Sequence, residues 1–344
     1  MKYIVGYPVK SNDSFLDSLI ENRSSIREVY FSFGDMPNGR SRLICDSETE
    51  FERQVRQTRD LKRLSSAGLD FNLLLNANCY GRDSSSRAFF NKIGDLTDYI
   101  IREYGLSSVT TASLLIAKFM KENFPSLDVR ASVNMDIGTV EGLEYVEGYF
   151  DSFYVRRDLN RNMPALLKLK QWCDSHSKTM YLLANSGCLN NCSAHVFHDN
   201  LVAHEAEMEQ MDNGYSFEGV CWEYLSKPEN HSSWLQCTGF IRPEDVSDYE
   251  GVVSAMKLAT RVNSSPSRIL EAYVGASYRG AVTELLEPNH TGAFYPKYID
   301  NSKFPKGYSA KVLYCDKKCS ECDYCKNALE TATVKLINDP SIKV

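Results

Sequence analysis

The chain contains no apolar run near the ~20 residues that a membrane-spanning helix requires. Its opening, MKYIVGYPVK, turns polar too soon for a signal peptide and reads as a first strand, so a cytoplasmic location is the expectation. Basic charge is also in short supply. Lys and Arg number 39 against 45 Asp and Glu, a net charge of −6, which disfavours an RNA substrate unless a local basic groove reverses the balance. Small molecules and peptides are left open. Low-complexity linkers and repeats of solenoid length are missing. So are an H-E-x-x-H zinc motif and any serine or cysteine nucleophile element.

Cysteine is not scarce. Eleven occur in 344 residues, too many for casual core filling in a reducing compartment, where clustered thiols point to metal rather than to disulfides. Cys45, Cys79 and Cys173 are scattered. The other eight fall into Cys188, Cys192, Cys221 and Cys237, then Cys315, Cys319, Cys322 and Cys325. Hydrophobic content of 43% and charged content of 24% are those of a globular protein.

Apolar patterning predicts strands at 2–9 (KYIVGYPV), 29–33 (VYFSF), 70–76 (DFNLLLN), within 106–113, at 127–134 (LDVRASVN), 150–156 (FDSFYVR), 178–184 and 252–258 (VVSAMKL). Helical segments alternate with them at 14–24, 47–67, 85–104, 114–123, 140–148, 163–177 and 267–280. The second of these opens on a serine cap at 47, and the sixth carries Pro164 in its first turn. Eight strands alternating with helices predict a (β/α)8 TIM-like barrel over 1–285. An excursion at about 190–240 interrupts it, and a cysteine-rich C-terminal extension occupies 286–344.

The stretch LLANSGCLNNC delivers Cys188 and Cys192 at the carboxyl end of the seventh strand, where parallel barrels hold their chemistry. Lys257, at the eighth strand, suits a substrate carboxylate or a Schiff base, or else a salt bridge with Asp136 or Asp158. Arg156, Arg157 and Arg261 suit forked binding of carboxylate or phosphate, with at least one expected to pair with Asp158. His195, His198 and His204 are candidate proton carriers. Asn76, Asn78, Asn134 and Asn185 fall at strand ends. The tail CDKKCSECDYC brings four thiols within eleven residues, a spacing nearer to ferredoxin runs than to a zinc ribbon, so a metal centre is expected there.

Several ordered stretches resemble the collagenase-like (U-32) peptidase family, which includes ubiquinone- and RNA-hydroxylation proteins. VYFSFG, the stretch VNMDIGTVEGLEYVEGYFDSFYVRRDLN and the stretch IRPEDVSDYEGVVSAMKLATRVNSSPSRILEAYVGASYR carry the likeness over about 1–280. Arg156, Arg157, Asp158 and Leu159 match the family's S-R-E-L. Lys257 and Arg261 fall on the first and last residues of its K-I-E-G-R, whose glutamate is Ala259 here. Family members with clusters place cysteines between strands seven and eight. The resemblance thus implies a 4Fe-4S cluster on Cys188, Cys192, Cys221 and Cys237, and the tail spacing suggests a second on Cys315, Cys319, Cys322 and Cys325. The rival is zinc, for instance on Cys188, Cys192, His195 and His198, and buried apolar cysteines are the plain alternative. The implied activity is an oxygen-independent redox modification such as hydroxylation. Lys257, Arg261 and Arg157 would hold an anionic substrate, His195 would move protons, and an electron donor or partner subunit would supply the tail cluster. Peptidase activity and a non-enzymatic electron carrier are the alternatives.

Overall fold

The structure, a computed structural model, describes residues 1–336 apart from 11, 35, 40–47 and 209–216. Cys45 and the serine cap expected at 47 lie outside the described residues. Eight parallel strands close into a barrel in chain order: β1 (Lys2–Gly6), β2 (Ile26–Phe31), β3 (Phe71–Leu75), β4 (Ser108–Thr111), β5 (Asp128–Ala131), β6 (Ser152–Tyr154), β7 (Thr179–Leu183) and β8 (Ala255–Leu258). The barrel closes where Ile4 of β1 pairs with Lys257 of β8. The (β/α)8 architecture read from the sequence is the one observed.

Helices α1 (Asp13–Glu21), α2 (Glu50–Ser66), α3 (Arg87–Tyr104), α4 (Leu114–Asn123), α5 (Val140–Glu144) and α6 (Met163–Ser175) follow the first six strands. Their starts are set by side chains that satisfy the first free backbone N–H groups. Thr49 and Glu52 form a reciprocal capping box on α2, Ser86 caps α3, and Asn162 caps α6 just before Pro164. Between β7 and β8 the excursion carries α7 (His195–Ala203), α8 (Glu205–Met208) and α9 (Val220–Leu225), and α10 (Pro266–Val274) follows β8. Outward strand residues such as Val29, Phe31, Phe71 and Leu73 pack beneath the helices in one large core.

A second core joins two regions that are far apart in sequence. Leu225, Trp234 and Phe240 of the excursion pack with Phe294, Tyr308 and Leu329 from the C-terminal segment. That segment holds α11 (Thr291–Phe294), α12 (Tyr308–Leu313), α13 (Tyr324–Ala332) and an antiparallel pair, β9 (Lys297–Ile299) with β10 (Thr333–Lys335). Among the described residues no helix is long and apolar enough to cross a membrane.

The barrel interior is mixed: Ile4, Tyr30, Leu74, Tyr154 and Tyr181 form an apolar cluster, and a buried polar network lies beside it. Arg130 is fully buried and pairs with Glu28 and with Asp128 Oδ2 at 2.6 Å, while its Nε donates to Ser152 Oγ at 3.0 Å. Ser108 Oγ donates to the second oxygen of Glu28 at 3.0 Å, Asn72 Nδ2 donates to Ser108 Oγ at 2.6 Å, and Thr110 Oγ1 donates to Asn72 Oδ1 at 2.9 Å. The guanidinium also lies 4.3 Å from the ring centre of Tyr181. A buried charge is tolerable only when it is answered in this way. Arg130→Met should therefore cost about 3–5 kcal/mol in denaturant unfolding by stranding Glu28. Adding Glu28→Gln should recover part of that loss, and an additive further loss would contradict the network.

Candidate functional site

The carboxyl ends of the strands open on a cavity of about 620 Å³ lined by Tyr30, Asn76, Asn134, Arg157, Lys257 and Arg261, with Ser186, Cys188 and Glu287 on the side facing the excursion. Barrel enzymes hold their chemistry at this face.

Each element contributes through local geometry. Thr260 Oγ1, just beyond β8, accepts from Gly6 N at 2.9 Å and donates to Gly6 O at 3.0 Å, tying the β8 end to β1 beside Arg261. Arg261 in turn donates to Asn38 Oδ1 at 2.9 Å and to Ser32 Oγ at 3.0 Å, which fixes its fork across the mouth. Arg157 leaves the turn after β6, donates to Asn134 Oδ1 at 2.9 Å and contacts His195 Nε2. The same imidazole nitrogen lies 3.1 Å from Asp199 Oδ2. A guanidinium can only donate, so His195 faces Arg157 with Nε2 unprotonated and faces Asp199 when that nitrogen carries a proton.

Lys257 is the most perturbed group at the mouth. It is buried, with its Nζ 4.2 Å from the ring centre of Tyr30 and 5.0 Å from that of Tyr154. Burial, then the nearby charges of Arg261, Arg130 and Arg157, lower its pKa to about 7. Glu28 acts in the opposite sense but is committed to Arg130. The salt bridge expected from sequence with Asp136 or Asp158 does not form. Asp158 binds Arg156 through two bonds of 2.6 Å, and Asp136 lies 3.8 Å from the same guanidinium.

The strand-end asparagines divide by role. Asn76 and Asn134 line the cavity, whereas Asn185 braces the backbone at Ala259 and Leu285. Asn78 donates to Asp199 at 3.5 Å. Tyr30, Ser186 and Glu287 were not singled out from sequence. Glu287 carried no signal, because it lies beyond the last predicted barrel strand.

The cysteines do not form the expected centres. Cys188 and Cys192 line a recess of about 400 Å³ with His195 and Arg157. Burial raises the thiol of Cys221, with a smaller contribution from Cys188, and it also raises Cys237, which senses Cys319 of the tail rather than the barrel thiols. In the tail, Cys319 and Cys322 face solvent on either side of a short 3-10 turn, while Cys325 on α13 packs against the second core and Cys315 lies on the approach. Cys325 senses Cys315 and Cys319, but Cys319 and Cys322 are turned to solvent. Among the described residues no three His, Cys, Asp or Glu side chains form a group that could hold a metal ion. This donor geometry overturns the expected 4Fe-4S clusters on Cys188, Cys192, Cys221, Cys237, Cys315, Cys319, Cys322 and Cys325, and equally the zinc alternative. The iron–sulfur oxidoreductase reading, with its hydroxylation and its electron path, falls with them.

No family model matches the chain. It is similar to an uncharacterized protease of Methanocaldococcus jannaschii, 25% identical over 316 residues that cover 89% of this chain and 88% of the relative. Among solved structures it resembles the U32 peptidase Mk0906, with a TM-score of 0.54 at 13% identity over 75% of this chain and 91% of that one. At that identity the structural likeness concerns the fold. The chain is thus a distant relative of that protease and shares its barrel fold with that peptidase, and neither likeness reaches the iron–sulfur hydroxylation proteins.

Thiol accessibility checks the cysteine geometry directly. Native alkylation followed by mass spectrometry should modify Cys319 and Cys322 first. Cys173, buried and with its thiol pushed up to about 11, should react last. Protection of both solvent-facing tail thiols would contradict their exposure.

Proposed function

We propose that the chain is a peptidase-like hydrolase that cleaves an amide bond at the barrel mouth, with Lys257 as its general base. The observation that carries this reading is a buried amine with a pKa near 7 on an open cavity flanked by two arginines. The description of the Methanocaldococcus jannaschii relative as a protease supports the choice of reaction class.

The chemistry follows from the charges. Neutral Lys257 takes a proton from a water molecule whose oxygen attacks the amide carbon. The carbonyl oxygen becomes an oxyanion, and Arg157 and Arg261 stabilise it with donors already oriented by Asn134, Asn38 and Ser32. The Lys257 ammonium then returns its proton to the amide nitrogen as the C–N bond breaks. His195 is a positioning residue here, holding Arg157 in place.

Activity should therefore rise with pH through about 7, because only the neutral amine accepts a proton. Lys257→Met and Lys257→Arg should both lower kcat/KM by about 10²–10⁴-fold against a library of short peptides. Retention of activity in Lys257→Arg would remove Lys257 from the role of base. Stability gives an independent readout. Below pH 7 the folded chain carries a buried ammonium at full cost. Between about 7 and 10.5 the unfolded state binds the extra proton, so stability rises with pH. Lys257→Met should be the more stable chain at pH 6, with its advantage shrinking as pH rises; a pH-independent difference would refute the perturbed lysine.

A further inference from the structure

Beside the mouth lies a second pocket of about 510 Å³, between the ends of β1, β2 and β8 and the first turns of α2. Its polar lining is strongly cationic. Arg53, Arg56 and Arg261 face it together with Tyr7, Ser32 and Gln57, and no carboxylate is among the described lining residues. Arg261 lines both this pocket and the mouth cavity.

The three arginines are held differently. Arg56 is buried and saturated: Nε and Nη2 donate to Glu48 at 2.8 and 2.9 Å, Nη2 also to Val9 O at 2.8 Å, and Nη1 to Tyr7 OH at 2.8 Å. Tyr7 OH then donates to Asp60 at 2.9 Å. This network fixes one wall and neutralises its own charge. Arg261 is oriented by the neutral oxygens of Asn38 and Ser32. Arg53 is the unexplained member, since its Nε is shut off from solvent and meets no acceptor among the described residues.

Its place in the helix sharpens the point. Arg53 is the fourth residue of α2, close to the end where the backbone N–H groups already carry positive charge and where a cation is disfavoured. Thr49 and Glu52 satisfy the cap without it. Among the described residues the charge of Arg53 is answered only at a distance by Glu48, which is already bonded to Arg56, and its buried Nε is left for a ligand to meet. A shielded guanidinium donor, a helix start and a second oriented guanidinium together make an oxyanion receptor.

We propose that this pocket binds an oxyanion group, phosphate or carboxylate, of a ligand whose remainder extends past Arg261 into the mouth cavity. Arg53 and Arg261 grip the oxyanion, and the Arg56–Glu48–Tyr7 network holds the wall behind it. This inference is separate from amide hydrolysis, because a bound anion requires no reaction at Lys257.

The test is isothermal titration of the full chain at low ionic strength. The probes are inorganic phosphate, an N-acetyl dipeptide with a free carboxylate, and its C-terminal amide. Binding of phosphate, of the free acid or of both, with the amide at least ~tenfold weaker than the acid, is expected; phosphate or the acid as the tighter probe identifies the source of the group. Arg53→Met should weaken the preferred probe ~tenfold with circular dichroism unchanged, and Arg53→Lys should restore part of the affinity. Equal affinity of the unmodified chain and Arg53→Met, or failure of both anions to bind, would overturn the proposal even with peptide hydrolysis present. Anion binding lost in Arg53→Met, with no hydrolysis of any peptide, would uphold it while sinking the hydrolase reading.

Discussion

Arg130 stays charged inside the barrel because Glu28 and Asp128 meet it there, and this pairing sets the electrostatics of everything above it. Taking a guanidinium out of water costs several kcal/mol, which Coulomb attraction repays only with good geometry and satisfied hydrogen bonds. Ser108, Asn72, Thr110 and Ser152 supply those bonds. The consequence reaches Lys257. With Glu28 consumed by Arg130, the second buried cation has aromatic rings around it but no matched carboxylate among the described residues, and Arg130 adds to the repulsion. One buried charge is neutralised by a partner, while the other holds its proton less tightly.

The mouth depends in turn on packing that lies outside the eight units. The excursion and the C-terminal segment bury Trp234, Phe240, Phe294 and Tyr308 in a common core, so neither presents a sufficient apolar face alone. Arg161 is threaded into this junction, donating to Leu235 O at 2.8 Å and lying 4.6 Å from the ring centre of Phe240. It leaves the turn that also carries Arg157. Arg161 also lies 5.5 Å from the ring centre of Tyr308, so the position of Arg157 is linked to docking of the C-terminal segment.

This explains what could be read in advance. Strand residues such as those of FNLLL are buried on both faces and advertise themselves as apolar runs, and the order of strand and helix leaves a barrel as the natural closure. Lys257 and Arg261 were legible because they fall at the end of a recognisable strand. Glu28, Asn72 and Arg130 were not, since a polar residue in a strand signals a solvent face unless the barrel interior holds a polar network of its own. The tail misled for another reason. Close spacing of thiols lowers the entropy of chelation but does not make the backbone fold round a centre, and α13 directs Cys325 into the second core while Cys319 and Cys322 stay in water. Pairing of Arg53 with a pocket was invisible because the wall it faces comes from the ends of three separate strands.

Two close backbone approaches show how little slack the mouth has. A Cβ on Gly187 would lie 2.1 Å from the carbonyl oxygen of Pro288, so the turn after β7 reaches the C-terminal segment only because glycine stands there. The contact is reinforced by Gly187 N donating to Glu287 O at 2.9 Å, which sets the backbone of the residue that brings a carboxylate to the cavity. At Gly6 a Cβ would meet the Arg261 side chain at 2.6 Å and the Tyr30 ring at 2.7 Å. Arg261 and Tyr30 thus share the space left by one missing methyl group, and Lys257 lies against the same tyrosine. Moving any one of the three requires the others to give. Donors held this tightly need little reorganisation when negative charge develops beside them, which is the physical condition under which fixed arginines stabilise an oxyanion better than water does.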